Sequence, residues 1–304
     1  MSVKQKHILK PKVVVILGAT ATGKSDLAVK LAKKFNGEVV SADSRQVYKG
    51  LNIGSGKITK KEMCGVPHHL LDVVNPKRVY NASDYKKAAS LVVRYIVQQG
   101  KIPIVCGGTG FYIDTLLGDV SLPEVPPNKK LRKSLAQKSN DELVAILALL
   151  DRNRSKNIDK HNRVRLIRAI EIASALGAVP DIQKEEKYQV LKIGLQLPDS
   201  VQRKKIETRL KERFKKGMIA EVAKLHKKGL SWKRLESFGL EYRYIAMYVQ
   251  KKISKDEMVE KLNTEIWRYA KRQRRWFKRD KEIFWITPKH VKRAELLVRK
   301  FLKS

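Results

Sequence analysis

Residues 13–25 have the sequence Val-Val-Val-Ile-Leu-Gly-Ala-Thr-Ala-Thr-Gly-Lys-Ser, and this stretch decides the fold. Its first five residues form a short apolar run rich in β-branched side chains, the pattern of a strand buried in a parallel sheet. The remainder fits the phosphate-loop pattern G-x-x-x-x-G-K-[ST], and apolar residues at helical spacing follow from Leu27 to Phe35. This order of strand, loop and helix predicts an α/β fold.

The same alternation continues along the chain. Strands are predicted at 38–42, 102–106, 190–197 and 283–286, and helices at 82–99, 128–150 and 264–279. Strands that alternate with helices form right-handed crossovers in a parallel sheet. We therefore predict a P-loop NTPase-like parallel sheet flanked by helices, with a mostly helical insertion. The predicted divisions are a core at 1–198 with a short helical excursion at about 120–155, an insertion at 199–262, and a basic helix and strand at 263–304 that return to the core.

The composition indicates a globular chain with a large excess of positive charge. The 304 residues include 66 Lys and Arg against 30 Asp and Glu, a formal net charge of +36, and 42% are hydrophobic. This hydrophobic content excludes a disordered polycation, and the charge favours nucleic acid as partner. No apolar run approaches the about 18 residues of a membrane span, and the N-terminus lacks a signal-peptide pattern, so we expect a cytoplasmic protein without membrane contact.

The phosphate loop is the strongest functional signal in the sequence. Its glycines let the backbone wrap so that N–H groups and the positive end of the next helix converge on phosphate oxygens. Lys24 adds a point charge, and the Ser25 hydroxyl is a ligand for Mg²⁺. The residues expected to bind phosphate are Gly18, Ala19, Thr20, Ala21, Thr22, Gly23, Lys24 and Ser25.

A phosphate loop alone does not define the reaction. A nucleotide triphosphatase also needs a carboxylate at the end of a neighbouring strand to hold Mg²⁺. The predicted strand at 102–106 ends instead in Gly-Gly-Thr, whereas Asp43 and Asp72 end other apolar stretches. Turnover of ATP therefore stays open at this point, beside reactions of another phosphorylated substrate.

Five further blocks, in the same order, resemble the tRNA dimethylallyltransferases, which are also called tRNA isopentenyltransferases. The first block reads DSRQVYKGLNIG at 43–54, and the last reads AKRQRRWF at 270–277. With the phosphate loop they span about residues 12–280. The remaining blocks lie at 67–72, 107–112 and 165–171.

The resemblance implies transfer of the dimethylallyl group of dimethylallyl diphosphate to N6 of adenosine 37, just 3′ of a tRNA anticodon. The loop at 18–25 then holds the diphosphate with Mg²⁺ as the C–O bond breaks. An aromatic amine is a poor nucleophile, so a carboxylate that accepts its proton helps the C–N bond to form. Asp43 matches the family's general base, and Thr109 matches its channel threonine. The alternatives are a Mg²⁺ or capping role for Asp43 and a turn role for Thr109.

The predicted contacts with tRNA come from the resemblance and from charge. Residues 43–46 match the segment that meets the target nucleotide, which must leave the stack before N6 can align with the prenyl carbon. Basic residues on one helix face and a basic, aromatic stretch at 267–279 predict phosphate contacts, and the insertion is expected to contact the anticodon stem. The predicted set is Asp43, Ser44, Arg45, Gln46, Thr109, Arg165, Arg168, Lys271, Arg272, Gln273, Arg274 and Arg275.

The chain departs from the family pattern at Ala19, where proline is common, at Ser55-Gly56-Lys57 in place of Thr-Ala-Lys, and at Gly239-Leu240-Glu241-Tyr242 in place of Gly-Tyr-Lys/Arg-Glu/Gln. Three alternative functions are an isopentenyltransferase of free adenine nucleotides, an RNA-binding ATPase or kinase, and a non-catalytic RNA-binding module. The basic segments at 152–168 and 271–304 disfavour the first, and the phosphate loop with Asp43 disfavours the last. We expect a monomer.

Overall fold

The structure is a computed structural model that describes residues 10–120, 122–181 and 184–304; the start of the predicted core, residues 1–9, lies outside this range. Within it, six strands form one parallel sheet in the order β3-β2-β4-β1-β5-β6. This sheet confirms the predicted fold class and the predicted strands, and it adds the two-residue strand β3. The strands are β1 (Lys12–Gly18), β2 (Gly37–Ala42), β3 (His68–His69), β4 (Ile102–Gly107), β5 (Gln189–Leu195) and β6 (Phe284–Ile286).

The described residues also form fourteen helices. The predicted helix at 128–150 is two helices, because Ser139 and Glu142 form a capping box that starts a second one. The C-terminal helix was not predicted. The helices are α1 (Lys24–Lys34), α2 (Lys60–Met63), α3 (Ala82–Gln98), α4 (Gly110–Leu117), α5 (Lys129–Leu135), α6 (Asn140–Leu150), α7 (Arg152–Asn157), α8 (Arg163–Leu176), α9 (Asp199–Lys215), α10 (Met218–Lys227), α11 (Trp232–Ser237), α12 (Leu240–Val249), α13 (Lys255–Phe277) and α14 (Val291–Lys303).

The centre of the sheet explains the position of the site. β1 lies between β4 and β5, with Val14 opposite Ile104 on one side and Leu191 on the other. Residues 13–16 are fully buried, as the apolar run predicts. Because all strands are parallel, β1, β2 and β4 end at the same edge of the sheet. Ligands of open α/β sheets bind at this edge.

The chain separates into two compact units, one of Met1–Leu117 with Glu186–Ser304 and the other of Gly118–Glu185. The predicted divisions do not follow this separation. The helices at 199–262 pack in the same unit as the sheet, and the excursion expected at about 120–155 belongs to a longer unit that ends at Glu185. The predicted boundary at 262/263 falls inside α13, which begins earlier because Ser254 and Glu257 form a capping box.

The unit of Gly118–Glu185 has its own core and one buried ion cluster. Its apolar core includes Leu143, Leu147, Leu166 and Ile170. Glu171 is 2% exposed, and its carboxylate accepts two hydrogen bonds of 2.7 Å from the Arg132 guanidinium. Burial acts to raise the pKa of Glu171, but hydrogen bonds from Arg132 and other donors outweigh it and lower the pKa. The charged cluster therefore fixes α5 against α8.

Candidate active site

The phosphate loop joins β1 to α1 and has an unusual backbone. Gly18, Ala21 and Gly23 have positive φ angles of 143°, 63° and 87°. A Cβ at Gly18 would lie 2.5 Å from the carbonyl oxygen of Leu195, so this position requires glycine. The Thr22 hydroxyl and the Lys24 ammonium both donate to the carbonyl oxygen of Ala19, at 2.9 Å and 2.7 Å. These side chains hold the loop closed around its own backbone.

Lys24 has an electrostatic environment that favours binding of an anion. Burial is the main cause that lowers its pKa from 10.5 to about 8. The nearby Arg209 cation also lowers this pKa, whereas the negative charge of Asp43 raises it. An anionic ligand would stabilise the protonated form of Lys24. The loop is therefore a cationic site, and a bound anion increases the protonated fraction of Lys24.

Asp43 and Thr109 come together because β2 and β4 are neighbours. The Thr109 amide donates to the carbonyl oxygen of Ala42 at 3.1 Å, and the Thr109 hydroxyl accepts a hydrogen bond from the Ser44 amide at 3.1 Å. Asp43 Oδ1 accepts hydrogen bonds from the amides of Arg45 at 2.8 Å and Gln46 at 3.2 Å. Asp43 thus fixes its own loop with one carboxylate oxygen. Among the described residues, none donates a hydrogen bond to the other oxygen.

Tyr269 covers this pair from α13. Burial raises its pKa to about 12, the Asp43 charge contributes to the rise, and its hydroxyl interacts with Thr109. Tyr269 therefore keeps its proton at neutral pH, and an uncharged side chain lies beside the carboxylate.

A cavity of about 1060 Å³ connects the phosphate loop with Asp43. Its size lies at the upper end of small-molecule pockets, about 300–1,000 Å³, so it has room for a diphosphate and part of a second substrate. The wall includes helices α9, α12 and α13 as well as the loops at the edge of the sheet. Lining residues include Thr20, Ala21, Gly23, Lys24, Ser25, Asp43, Ser44, Arg45, Gln46, Gly108, Arg209, Arg213, Glu241, Tyr269, Arg272 and Gln273.

The donor set in the cavity fits Mg²⁺ that arrives with a diphosphate. Ser25 and Asp26 lie in the first turn of α1 and bring a hydroxyl and a carboxylate into the cavity. Across residues 10–120, 122–181 and 184–304, no group of three or more His, Cys, Asp or Glu side chains forms a metal site. Mg²⁺ in proteins commonly uses one or two carboxylates together with substrate phosphate oxygens. These oxygen donors fit such a shared coordination.

The predicted nucleotide contacts at 44–46 all line the cavity. Arg45 Nε donates a hydrogen bond to the carbonyl oxygen of Phe238, the C-terminal cap residue of α11. Gln46 Nε2 donates to the carbonyl oxygen of Gly56 at 3.3 Å. The structure therefore brings residues 43–46 and residues of the phosphate loop together around one cavity, with Thr109 hydrogen-bonded to Ser44, and the binding roles of these residues stay predictions.

The predicted basic residues of α13 have three different environments. Arg272 is exposed and lines the cavity, and Lys271 and Arg275 are exposed. Arg274 pairs with Asp199 and lies over the Trp267 ring, at 5.0 Å from its centroid. Gln273 is buried, with its amide bound to two backbone groups. Lys271, Arg272 and Arg275 are thus the exposed members of the predicted basic set on this helix, and the Arg272 guanidinium also lies 5.9 Å from the centroid of the Tyr269 ring.

The remaining predicted basic residues, Arg165 and Arg168, lie on α8 in the unit of Gly118–Glu185. Arg165 is exposed. Arg168 donates to the carbonyl oxygen of Val125 at 2.9 Å and to Glu171 at 3.2 Å. Its guanidinium is therefore part of that unit's internal structure, and the contact of this residue with tRNA stays a prediction.

Sequence reasoning missed several cavity residues. Arg209 and Arg213 are one turn apart on α9, a spacing that places them on one helix face and could have indicated an anion site. Glu241 is 9% exposed and pairs with Arg213 at 2.8 Å. Burial is the main cause that raises the pKa of Glu241, and the Arg213 charge opposes it. No local pattern predicts this pair, because its members are 28 residues apart.

The comparisons with known proteins identify the family of this chain. The family model of IPP transferase matches residues 46–280. A relative from Treponema denticola, named tRNA dimethylallyltransferase 2, is 45% identical over 285 residues, which cover 92% of this chain and 94% of the relative. A relative from Treponema pallidum, named tRNA dimethylallyltransferase, is 45% identical over 275 residues, which cover 88% of this chain and 86% of the relative.

Solved structures give the same result. The tRNA isopentenylpyrophosphate transferase of Bacillus halodurans has a TM-score of 0.75 at 30% identity, with 97% of each chain covered. A eukaryotic dimethylallyltransferase, whose structure was described as acting on tRNA, has a TM-score of 0.79 at 25% identity, with 91% of this chain and 74% of that chain covered. Given this coverage and the cavity at the edge of the sheet, the chain belongs to the IPP transferase family.

Proposed function

We propose that the protein transfers the dimethylallyl group of dimethylallyl diphosphate to N6 of adenosine 37 of tRNA and releases diphosphate. The observation that carries this proposal is the cavity that joins the phosphate loop to Asp43, with Thr109 hydrogen-bonded to the neighbouring Ser44. The names of the relatives support the same reaction, and the basic surface of α13 supports an RNA substrate. An ATPase would use the same loop, but it has no need for the acceptor side of the cavity.

In the proposed reaction each part of the cavity has one task. The loop amides and Lys24 bind the diphosphate, and Mg²⁺ held by Ser25 and diphosphate oxygens would add positive charge against the leaving group. The bond between C1 of the prenyl group and oxygen breaks, and the bond between C1 and N6 forms. Asp43 accepts the proton that N6 loses. Thr109 orients the adenine, and Tyr269 excludes water from that side.

The setting of the reaction follows from its substrate. We propose that the protein acts in the cytoplasm and as a monomer. No helix in the described part of the chain is both long and apolar enough to cross a membrane.

The direct test is mass analysis of nucleosides after incubation of the purified protein with unmodified tRNA, dimethylallyl diphosphate and Mg²⁺. We expect prenylated adenosine at position 37 and no product from a transcript with guanosine at that position. AMP in place of tRNA tests the reaction on free nucleotides, and ATP without prenyl donor tests the ATPase. Turnover in either of these reactions without prenylated tRNA would reject the proposal.

Neutralising two exposed cations of α13 is expected to flatten the salt dependence of tRNA binding. In the double variant Arg272→Gln, Arg275→Gln, the slope of log K against log salt should fall in magnitude by about 1.4–1.8, since each phosphate contact contributes about 0.7–0.9. Fluorescence titrations at several salt concentrations measure this slope. The exposed lysines of α1 supply a control of equal charge, Lys30→Gln with Lys33→Gln. Equal slopes for both double variants would show that tRNA binds to another surface of the protein.

The lowered pKa of Lys24 predicts a pH dependence of donor binding. Above pH 8 the free protein loses the Lys24 proton that the bound diphosphate favours, so the Kd should increase by up to about tenfold per pH unit. A thiolodiphosphate analogue of the donor, titrated by calorimetry from pH 6.5 to 9.5, measures this effect. Lys24→Arg stays protonated throughout, so its affinity should change less above pH 8. Parallel curves for the two proteins would contradict the assignment.

A further inference from the structure

Gln273 has a more specific environment than its exposed neighbours on α13. It is 7% exposed and lies on the helix face that also buries Ala270 and Phe277. Its Oε1 accepts a hydrogen bond from the Thr20 amide at 2.9 Å, and its Nε2 donates to the carbonyl oxygen of Gly108 at 2.8 Å. Because one partner is a donor and the other an acceptor, the Gln273 amide satisfies both in only one orientation.

On the side of the phosphate loop, Thr20 is held from two helices. Its amide bonds to Gln273 of α13, and its carbonyl oxygen accepts a hydrogen bond of 2.7 Å from Gln202 Nε2 of α9. Gln202 is fully buried. The Thr20 amide is thus used within the protein and is not among the loop amides left for the diphosphate. The shape of the loop depends on these two glutamines.

On the other side, Gly108 leads directly into the acceptor residues. A Cβ at Gly108 would overlap Gln273 Nε2, so glycine permits this close approach. The next residue, Thr109, bonds through its amide to Ala42 and through its hydroxyl to Ser44, the two neighbours of Asp43. A short path of hydrogen bonds therefore runs from Thr20 through Gln273 to the segment that carries Asp43.

We infer that Gln273 is a positioning residue that sets the separation between the diphosphate loop and the acceptor segment of Asp43 and Thr109. This inference rests on the proposed function, because the separation matters when one side holds the prenyl carbon and the other holds N6. Reacting atoms must approach to about 3–3.5 Å before bond formation, and a misplacement of about 1 Å lowers the rate strongly. Loss of Gln273 should therefore slow transfer and leave the affinity for tRNA nearly unchanged.

The most informative variant is Gln273→Glu, which keeps the shape of the side chain. As a carboxylate, it accepts the Thr20 hydrogen bond but repels the carbonyl oxygen of Gly108, so single-turnover transfer at pH 8.5 should fall by about 10- to 100-fold. As a protonated acid, it has an O–H that donates to Gly108. The ratio of variant to wild-type rate should therefore rise as the pH falls toward 6, since burial favours the neutral acid. A residue that only fills space gives no such pH profile.

Two further variants complete the test. Gln273→Met keeps the volume and removes both hydrogen bonds, so its rate should be low at every pH. Glu260→Gln changes an exposed residue of the same helix and should behave as wild type. Thermal unfolding and the Kd for tRNA are measured for each protein. Because the pH series compares one folded protein with itself, it decides the question even if Gln273→Met unfolds.

The outcomes separate the inference from the proposed function. Wild-type protein that prenylates tRNA, together with a Gln273→Glu rate that is low and recovers at low pH, supports the positioning role. A Gln273→Glu rate equal to wild type, or a loss found entirely in the Kd for tRNA, overturns it. If wild-type protein forms no prenylated tRNA, the proposed function fails first, whatever the variants do.

Discussion

Replacing Asp43 with asparagine is expected to slow single-turnover prenylation of tRNA by about 10²–10⁴-fold while tRNA binding is largely kept. Asparagine retains an oxygen that accepts the hydrogen bonds from the amides of Arg45 and Gln46, so the loop keeps its shape. The variant loses only the group that accepts the N6 proton. Rapid quenching with enzyme in excess over tRNA measures the chemical step.

Asp43→Ala is the matched variant for the capping role of the same side chain. It removes the base and also the two hydrogen bonds that hold the loop, so its rate should be as low as that of Asp43→Asn or lower. If asparagine supports the wild-type rate and alanine does not, Asp43 is a loop cap and another group takes the proton. A similar loss in both variants, with normal tRNA affinity, supports its role as general base.

Replacing Lys24 with alanine is expected to have the second large effect, on the KM for the prenyl donor. We expect the KM for dimethylallyl diphosphate to rise by about 10- to 100-fold, because a charge-assisted hydrogen bond to phosphate is worth about 1.5–3 kcal/mol. Steady-state rates at saturating tRNA and varied donor measure this change. Normal turnover at limiting donor would show that the diphosphate binds elsewhere.

The Lys24 ammonium also bonds to the Ala19 carbonyl oxygen, so its loss changes the loop as well as the charge. Thr22→Val separates the two effects. Thr22 is 1% exposed and makes the other side-chain hydrogen bond to the same carbonyl oxygen, but it carries no charge. A much smaller rise in KM for Thr22→Val than for Lys24→Ala assigns the effect to the cation. Equal rises assign it to loop closure.

The parts of the fold that the sequence predicts are those set by local pattern. The apolar run at 13–17 predicts β1, and the glycine and lysine positions after it predict the loop, because few sequences satisfy that backbone. Asp43 and Thr109 were predictable as a pair, since parallel strands end at one edge of the sheet. The hydrogen bond from the Ser44 amide to the Thr109 hydroxyl places the two segments side by side. The role of each residue in the reaction stays a prediction.

The parts that could not be predicted depend on contacts between distant segments. Gln202 and Gln273 hold Thr20 from helices that begin about 180 and 235 residues later, and no periodicity shows which side chain turns inward to a loop. No local sequence pattern predicts the limits of the two compact units either. Residues 199–262 read as a separate helical stretch, yet their buried side chains pack with Val47, Tyr48 and Leu51 of the segment that follows β2.

The contacts of Arg213 limit which segments of this site can be exchanged between related proteins. Its guanidinium pairs with Glu241 and lies where a Cβ on Gly56 would overlap it. Gly56 and Glu241 both lie in segments where the sequence differs from the pattern that the resemblance implies, so two such differences meet at one side chain. Alanine at 56 alone forces the end of the Arg213 side chain to move, and a cation at 241 alone leaves two positive groups together. Chimaeras between relatives should therefore carry 54–57 and 239–242 from the same parent.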